Sequence, residues 1–241
     1  MKRLYNKSEL SFALVWIGIY VALFSFGDAL STQIGFEKLV TAVFGVGLVL
    51  TCYVWLLKHG LTGKYGLCPM KGTGADYLFF APLLVMLTVN LWWGVRLNQM
   101  VPESVLYVLS MLCVGFLEEV IFRGFLFKAL CKDGLKQAVL ISSLTFGVGH
   151  IVNLFNGAEI LPTLLQVCYA TAIGFLFTYI FHTSGSLWVC ILFHGAFNSL
   201  SVFANEPART LEWELLSAAF LCVVSVGYGV YLLKKFPLKE I

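Results

Sequence analysis

Three short stretches of this chain set reactive side chains in apolar surroundings. The first reads GFLEEVIFRGFLF and carries Glu118, Glu119 and Arg123. The second reads SSLTFGVGHIVN, with His150 and, one turn before it, Phe146. The third reads ILFHGAFNSL, with His194 and Asn198. A carboxylate can take a proton from water, an imidazole can share or pass that proton, and an amide N–H can hold a developing oxyanion. Glu119 and Arg123 are spaced i,i+4, so one helical face can hold them as an ion pair. Glu118 points about 100° away from Glu119 on a regular helix and has no partner nearby in sequence. His194 and Asn198 have the same i,i+4 spacing and can address one ligand from one face.

The elements that position these groups follow from composition. The chain has 241 residues, is 59% hydrophobic and only 12% charged, with a mean hydropathy of +0.87. A soluble domain carries roughly twice that charged fraction. A disordered chain, a disulfide scaffold and an ordinary soluble enzyme are excluded, and a polytopic helical membrane protein fits. Apolar runs predict about eight spans: Leu10–Phe26, Leu39–Leu57, Tyr77–Leu97, Ser104–Phe127, Gln137–Phe155, Pro162–Phe181, Leu187–Ala204 and Leu215–Leu233. Each is long enough, at 1.5 Å per residue, to cross a hydrocarbon core of about 30 Å. The first reads as a retained span rather than a cleaved leader.

The expected architecture is therefore all-α, one integral membrane domain over 1–241. Lys2, Arg3 and Lys7, Lys58, Lys64 and Lys71, Lys128, Lys132 and Lys136, and Lys234, Lys235 and Lys239 fall on one side of these spans. That bias predicts both termini in the cytoplasm. Asp28, Glu37, Glu103 and the other acids between spans read as solvated loop charge. The longest polar connection, Lys58–Asp76, is rich in glycine. The seven cysteines show no metal-ligand spacing and read as small apolar packing residues. The net charge of +3 gives no sign of a nucleic-acid partner.

Depth gives an independent test of the polar groups. Counted from the basic clusters, Glu118, His150, His194 and Asn198 all lie roughly 14–20 Å from the cytoplasmic end of their spans. An ionisable group at mid-bilayer costs about 2.5–3.5 kcal/mol on insertion scales, so such groups need partners or a cavity. Three helices that place a carboxylate, two imidazoles and an amide at one height can build a shared site. Other intramembrane chemistries lack their residues. There is no HExxH helix, and every Asp falls between spans. A serine nucleophile in Ser184–Gly185–Ser186 would sit at the surface and leave both glutamates without a role.

The ordered set Glu118-Glu119-x-x-x-Arg123, Phe146-x-x-x-His150 and His194-x-x-x-Asn198 resembles the three-motif signature of the CAAX-protease and bacteriocin-processing intramembrane endopeptidases, which include the type II CAAX prenyl endopeptidases. The resemblance covers about Met111 to Leu200 and implies a catalytic core near 104–204. It also implies an intramembrane cavity open toward the cytoplasm. On this resemblance Glu118 and His150 activate the attacking water, and His194 and Asn198 stabilise the oxyanion. Glu119, Arg123 and Phe146 support them. The implied reaction is endopeptidase cleavage of a membrane-associated or C-terminally lipidated or hydrophobic substrate, entering from the membrane or the cytoplasmic side. The small chain favours a bacterial relative in the cell membrane, acting on peptides. Two cofactor accounts stay open: none, with Glu–His catalysis unaided, or a divalent metal such as zinc held by Glu118, His150, His194 and Asn198. A competing reading is a non-proteolytic scaffold, or a binding or transport protein, that uses the same polar cavity.

Overall fold

A computed structural model describes residues 1–70 and 80–236. These residues are helical apart from turns and one antiparallel bridge between Val95 and Ala204. A short α1 (Lys2–Lys7) leads into α2 (Glu9–Ile34), whose start is capped by the Ser8 hydroxyl accepting from the Ser11 amide at 3.1 Å. Gly35, at φ +77°, ends α2 in the left-handed conformation that glycine adopts at little cost. There follow α3 (Leu39–Lys58), α4 (Ala81–Leu87) with a 3-10 turn at Val89–Leu91, and α5 (Val101–Glu118). From α5 the chain runs on without a break as a π-helical stretch, Glu119–Phe127, and a last turn, α6 (Lys128–Leu130). The remaining helices are α7 (Leu135–Gly149), α8 (Val152–Phe155), α9 (Ile160–Ser184), α10 (Trp188–Ser201) and α11 (Leu211–Lys235).

Among the described residues six helical segments are long and apolar enough to span a bilayer: Glu9–Ile34, Leu39–Lys58, Val101–Asp133, Leu135–Phe155, Ile160–Ser184 and Leu211–Lys235. The polytopic helical bundle expected from composition is present, with two differences. The third predicted span contains only the short apolar helix Ala81–Leu91, and its start at Tyr77 lies outside the described residues. The seventh is α10, with 14 residues. Lys71, Gly72, Gly74 and Asp76 of the polar connection and Lys239 near the C-terminus also lie outside the described residues. Leu14, Phe26, Val43, Leu50, Leu84, Leu192 and Val223 are exposed on helix surfaces, as side chains facing lipid must be. The chain is an integral membrane protein.

Two acids depart from the loop-charge expectation. Asp28 lies inside α2, where Lys38 Nζ and Thr41 Oγ1 donate to its Oδ1 at 2.8 and 2.5 Å. Glu103 is buried, and its two oxygens accept from the backbone amides of Glu37 (3.2 Å) and Met100 (3.3 Å). It closes the start of α5 by satisfying amides that the helix leaves free.

The interior divides into two packed regions. One joins Phe12, Trp16 and Phe24 of α2 to Leu117, Val120, Ile121 and Phe125. The other joins Leu176, Phe177 and Ile180 of α9 to Phe193 and Phe197 of α10 and Leu221 of α11. The two meet where α5 crosses α10. A Cβ on Gly115 would lie 2.5 Å from the Gly195 nitrogen and 2.7 Å from its Cα. Backbone therefore touches backbone there, one residue from His194 and one turn from both glutamates. Only a residue without a side chain allows that approach.

Candidate active site

Glu118 and Glu119 sit at the junction of α5 and the π-helical stretch, and both are buried, as is Arg123. The pair expected from the i,i+4 spacing forms: Arg123 Nη1 donates to Glu119 Oε1 at 2.9 Å, with both side chains fully enclosed. It forms in an unexpected setting. In a π-helix the amides bond five residues back rather than four, and the loosened ladder is stitched from outside. The Ser142 hydroxyl of α7 donates to the Phe122 carbonyl at 3.0 Å. The Arg123 guanidinium lies 3.9 Å from the Phe146 ring centroid and 5.5 Å from that of Phe177, so its flat faces are covered by aromatic surface. Gly174 makes room for it, since a Cβ there would come within 3.3 Å of Nη2.

His194 lies between the two glutamates. Its Nδ1 is 2.8 Å from Glu119 Oε1, and its Nε2 is 3.5 Å from Glu118 Oε2. A carboxylate offers only acceptors, so the Nδ1–Glu119 contact places a hydrogen on Nδ1. Glu119 thus has two tasks: it pairs with Arg123 and it orients His194. Sequence spacing showed only the first. Glu118, without a partner on its own helix, finds one on α2: Tyr20 Oη donates to Glu118 Oε1 at 2.7 Å. Tyr20 was missed because a tyrosine in an apolar span carries no signal that separates a site residue from a packing one.

His150 is displaced from its expected place at mid-span. It caps the C-terminus of α7, where the chain turns before α8, and is half-buried. Its Nδ1 lies 2.9 Å from the Phe146 carbonyl oxygen, which can only accept, so Nδ1 bears the hydrogen and Nε2 keeps a lone pair. The Phe146 ring stands edge-on to His150 at 5.1 Å and to His194 at 5.8 Å. The Phe146 ring is thus a contact that the two imidazoles share. Asn198, one turn beyond His194 on α10, is half-buried and makes no side-chain hydrogen bond to a described residue.

Four buried polar atoms here lack a hydrogen-bond partner among the described residues: Glu118 Oε2, Glu119 Oε2, Arg123 Nε and Arg123 Nη2. Buried carboxylate oxygens and guanidinium nitrogens are expensive to leave unpaired. All four belong to the same cluster of buried charged side chains. The donors do not match a metal centre. Among the described residues no three His, Cys, Asp or Glu side chains come together with ligand spacing, whereas zinc takes three or four protein ligands. Glu118, His150, His194 and Asn198 as arranged do not form such a set.

Residues 100–200 match the family described as type II CAAX prenyl endopeptidase Rce1-like. The Bacillus subtilis (strain 168) protein named "Putative membrane peptidase YdiL" is 34% identical over 113 residues, 46% of this chain and 41% of that protein. The matched stretch thus spans well under half the length of that curated relative. No solved structure matches the chain significantly. The matched region, which covers less than half of the chain, holds all the motif residues, Glu118, Glu119, Arg123, Phe146, His150, His194 and Asn198, and over that stretch the chain is similar to the type II CAAX prenyl endopeptidase Rce1-like family.

Proposed function

We propose that this protein is an intramembrane endopeptidase in which Glu118 activates water. The observation that carries the reading is the buried relay Tyr20–Glu118–His194–Glu119–Arg123, assembled from α2, the α5–π junction and α10. One oxygen of Glu118 is held by Tyr20. The other, Oε2, is buried, lacks a hydrogen bond from any described residue and faces His194.

In the proposed reaction a water bound between Glu118 Oε2 and His150 Nε2 gives one proton to Glu118 as its oxygen bonds to the scissile carbonyl carbon. The charge that develops on the carbonyl oxygen is met by Asn198 Nδ2–H and by His194 in its doubly protonated form, whose Nδ1–H is held by Glu119 and whose Nε2–H faces the oxyanion. Glu118 then passes its proton to the amide nitrogen, the C–N bond breaks, and an amine and a carboxylic acid leave. General-base assistance of this kind accounts for about 10²–10⁴-fold in rate, and fixed donors at the oxyanion for a few kcal/mol more. Every step uses side chains of this chain, and none is routed through a metal.

Topology extends the reading. The one-sided lysines favour cytoplasmic termini. That orientation opens the reacting cavity within residues 104–204 of a single membrane domain toward the cytoplasmic leaflet. The substrate is a peptide with a hydrophobic or lipidated anchor that enters from the membrane or the cytoplasmic side, and the cell membrane of a bacterium is the expected setting.

The test is cleavage by the purified protein in detergent of two fluorogenic reporters. One is a peptide ending in an S-farnesyl-cysteine tripeptide. The other is an unprenylated single-span peptide. Glu118→Gln keeps the side-chain shape and an acceptor for Tyr20 but removes the base. Cleavage should fall by about two to four orders of magnitude while abundance and thermal stability hold. Undiminished cleavage by Glu118→Gln would refute the general-base role. If neither reporter is cut by the unaltered protein, a non-proteolytic scaffold or binding role takes the place of the peptidase.

A further inference from the structure

The polar relay begins outside the region that matches the family, at Tyr20 in the middle of α2, 98 residues before Glu118. Tyr20 is 9% exposed and its ring packs on Phe24 one turn along α2, with centroids 4.7 Å apart. Its hydroxyl meets Glu118 Oε1 at 2.7 Å, a short bond of the kind that a hydroxyl makes to a carboxylate.

A free carboxylate has two equivalent oxygens and can rotate to present either. Here they are not equivalent. Oε1 is occupied by a donor whose ring is packed against Phe24, and Oε2 faces His194 Nε2 at 3.5 Å with no hydrogen bond from a described residue. We propose that Tyr20 is a positioning residue that locks the Glu118 carboxylate and dedicates Oε2 to the proton of the attacking water. This deepens the peptidase reading above and rests on it. It also gives the first span a task in the reaction: α2 packs along the π-helical stretch and thereby helps to set the base.

A purely structural tyrosine would affect folding and activity together. A positioning tyrosine affects turnover selectively. Tyr20→Phe retains the ring and its contact with Phe24 and removes only the hydroxyl. We expect kcat to fall roughly ten- to a hundred-fold, the range for losing a hydrogen bond to a charged group, with KM little changed. In a Glu118→Gln background the same substitution should add almost nothing, because the two residues act as one unit. Leu56→Ala, at a buried core position of α3, is the packing control: it opens a void there and should lower Tm without a selective loss of kcat.

A readout independent of turnover is the infrared difference spectrum between the unaltered protein and Tyr20→Phe. It should contain a carboxylate stretching band, and that band should vanish when the difference is taken in the Glu118→Gln background. If Glu118→Gln abolishes cleavage while Tyr20→Phe leaves kcat intact, the Tyr20 assignment is wrong and the peptidase reading survives. An identical difference spectrum in both backgrounds overturns the Tyr20–Glu118 contact itself. Absence of cleavage by the unaltered protein overturns both readings.

Discussion

Gly115→Ala tests the geometry on which the site depends without touching a reactive group. The added methyl would lie 2.5 Å from the Gly195 nitrogen, 2.7 Å from its Cα and 3.2 Å from the Ile191 carbonyl oxygen. All three are backbone atoms of α10, so no side chain can swing away. Ordinary contact begins near 3.4 Å, and α10 must therefore retreat from α5 by about 1 Å, given how little a packed interior compresses. Overpacking of this kind costs about 1–3 kcal/mol.

The displacement falls on His194, adjacent to Gly195. Its 2.8 Å contact with Glu119 would stretch to nearly 4 Å, beyond hydrogen-bond range, and a misplacement of 1 Å at a reacting group can cost about 10²-fold in rate. Thermal unfolding in detergent and reporter cleavage should both show the loss. Gly47→Ala, at a helical glycine with nothing within 4 Å, should do neither and can add up to about 1 kcal/mol of helix stability. A Gly115→Ala protein as stable and active as the unaltered chain would refute the close crossing of α5 and α10.

The other predictions concern the charged groups. Arg123→Ala leaves Glu119 as a buried carboxylate without its cation, so the protein should lose about 3–5 kcal/mol of stability. A thermally stable Arg123→Ala protein that has lost all cleavage would instead indicate a direct role in the reaction. His150→Ala should reduce cleavage about as severely as Glu118→Gln, and the double variant should be little worse than either. Multiplicative losses in kcat/KM would show that the two do not serve one water.

Much of the site could be read from one dimension. Apolar runs and a low charge content dictate membrane helices, because a bilayer leaves the backbone no partner outside the helix. Spacing along a single helix is set by its pitch, so Glu119 was expected opposite Arg123, and His194 on the face of Asn198. Both glutamates meet His194, whereas His150 shares with His194 the Phe146 ring as a neighbour.

What spacing could not supply is the choice of neighbours between helices. That choice depends on side-chain volumes on both partners at once. Gly115 and Gly195, 80 residues apart in sequence, decide that α5 and α10 touch, and this contact puts His194 between two carboxylates rather than beside one. The π-helical register from Glu119 to Phe127 depends on outside support such as the Ser142 hydroxyl on the Phe122 carbonyl. Glu103 looked like a solvated acid until the backbone amides of Glu37 and Met100 were brought to it. Tyr20 is the clearest case: in sequence it is one aromatic among many, and only the packing of α2 against the π-helical stretch turns its hydroxyl toward Glu118. A hydrogen bond requires two atoms within about 3 Å, and for residues on different helices only the folded chain determines that distance.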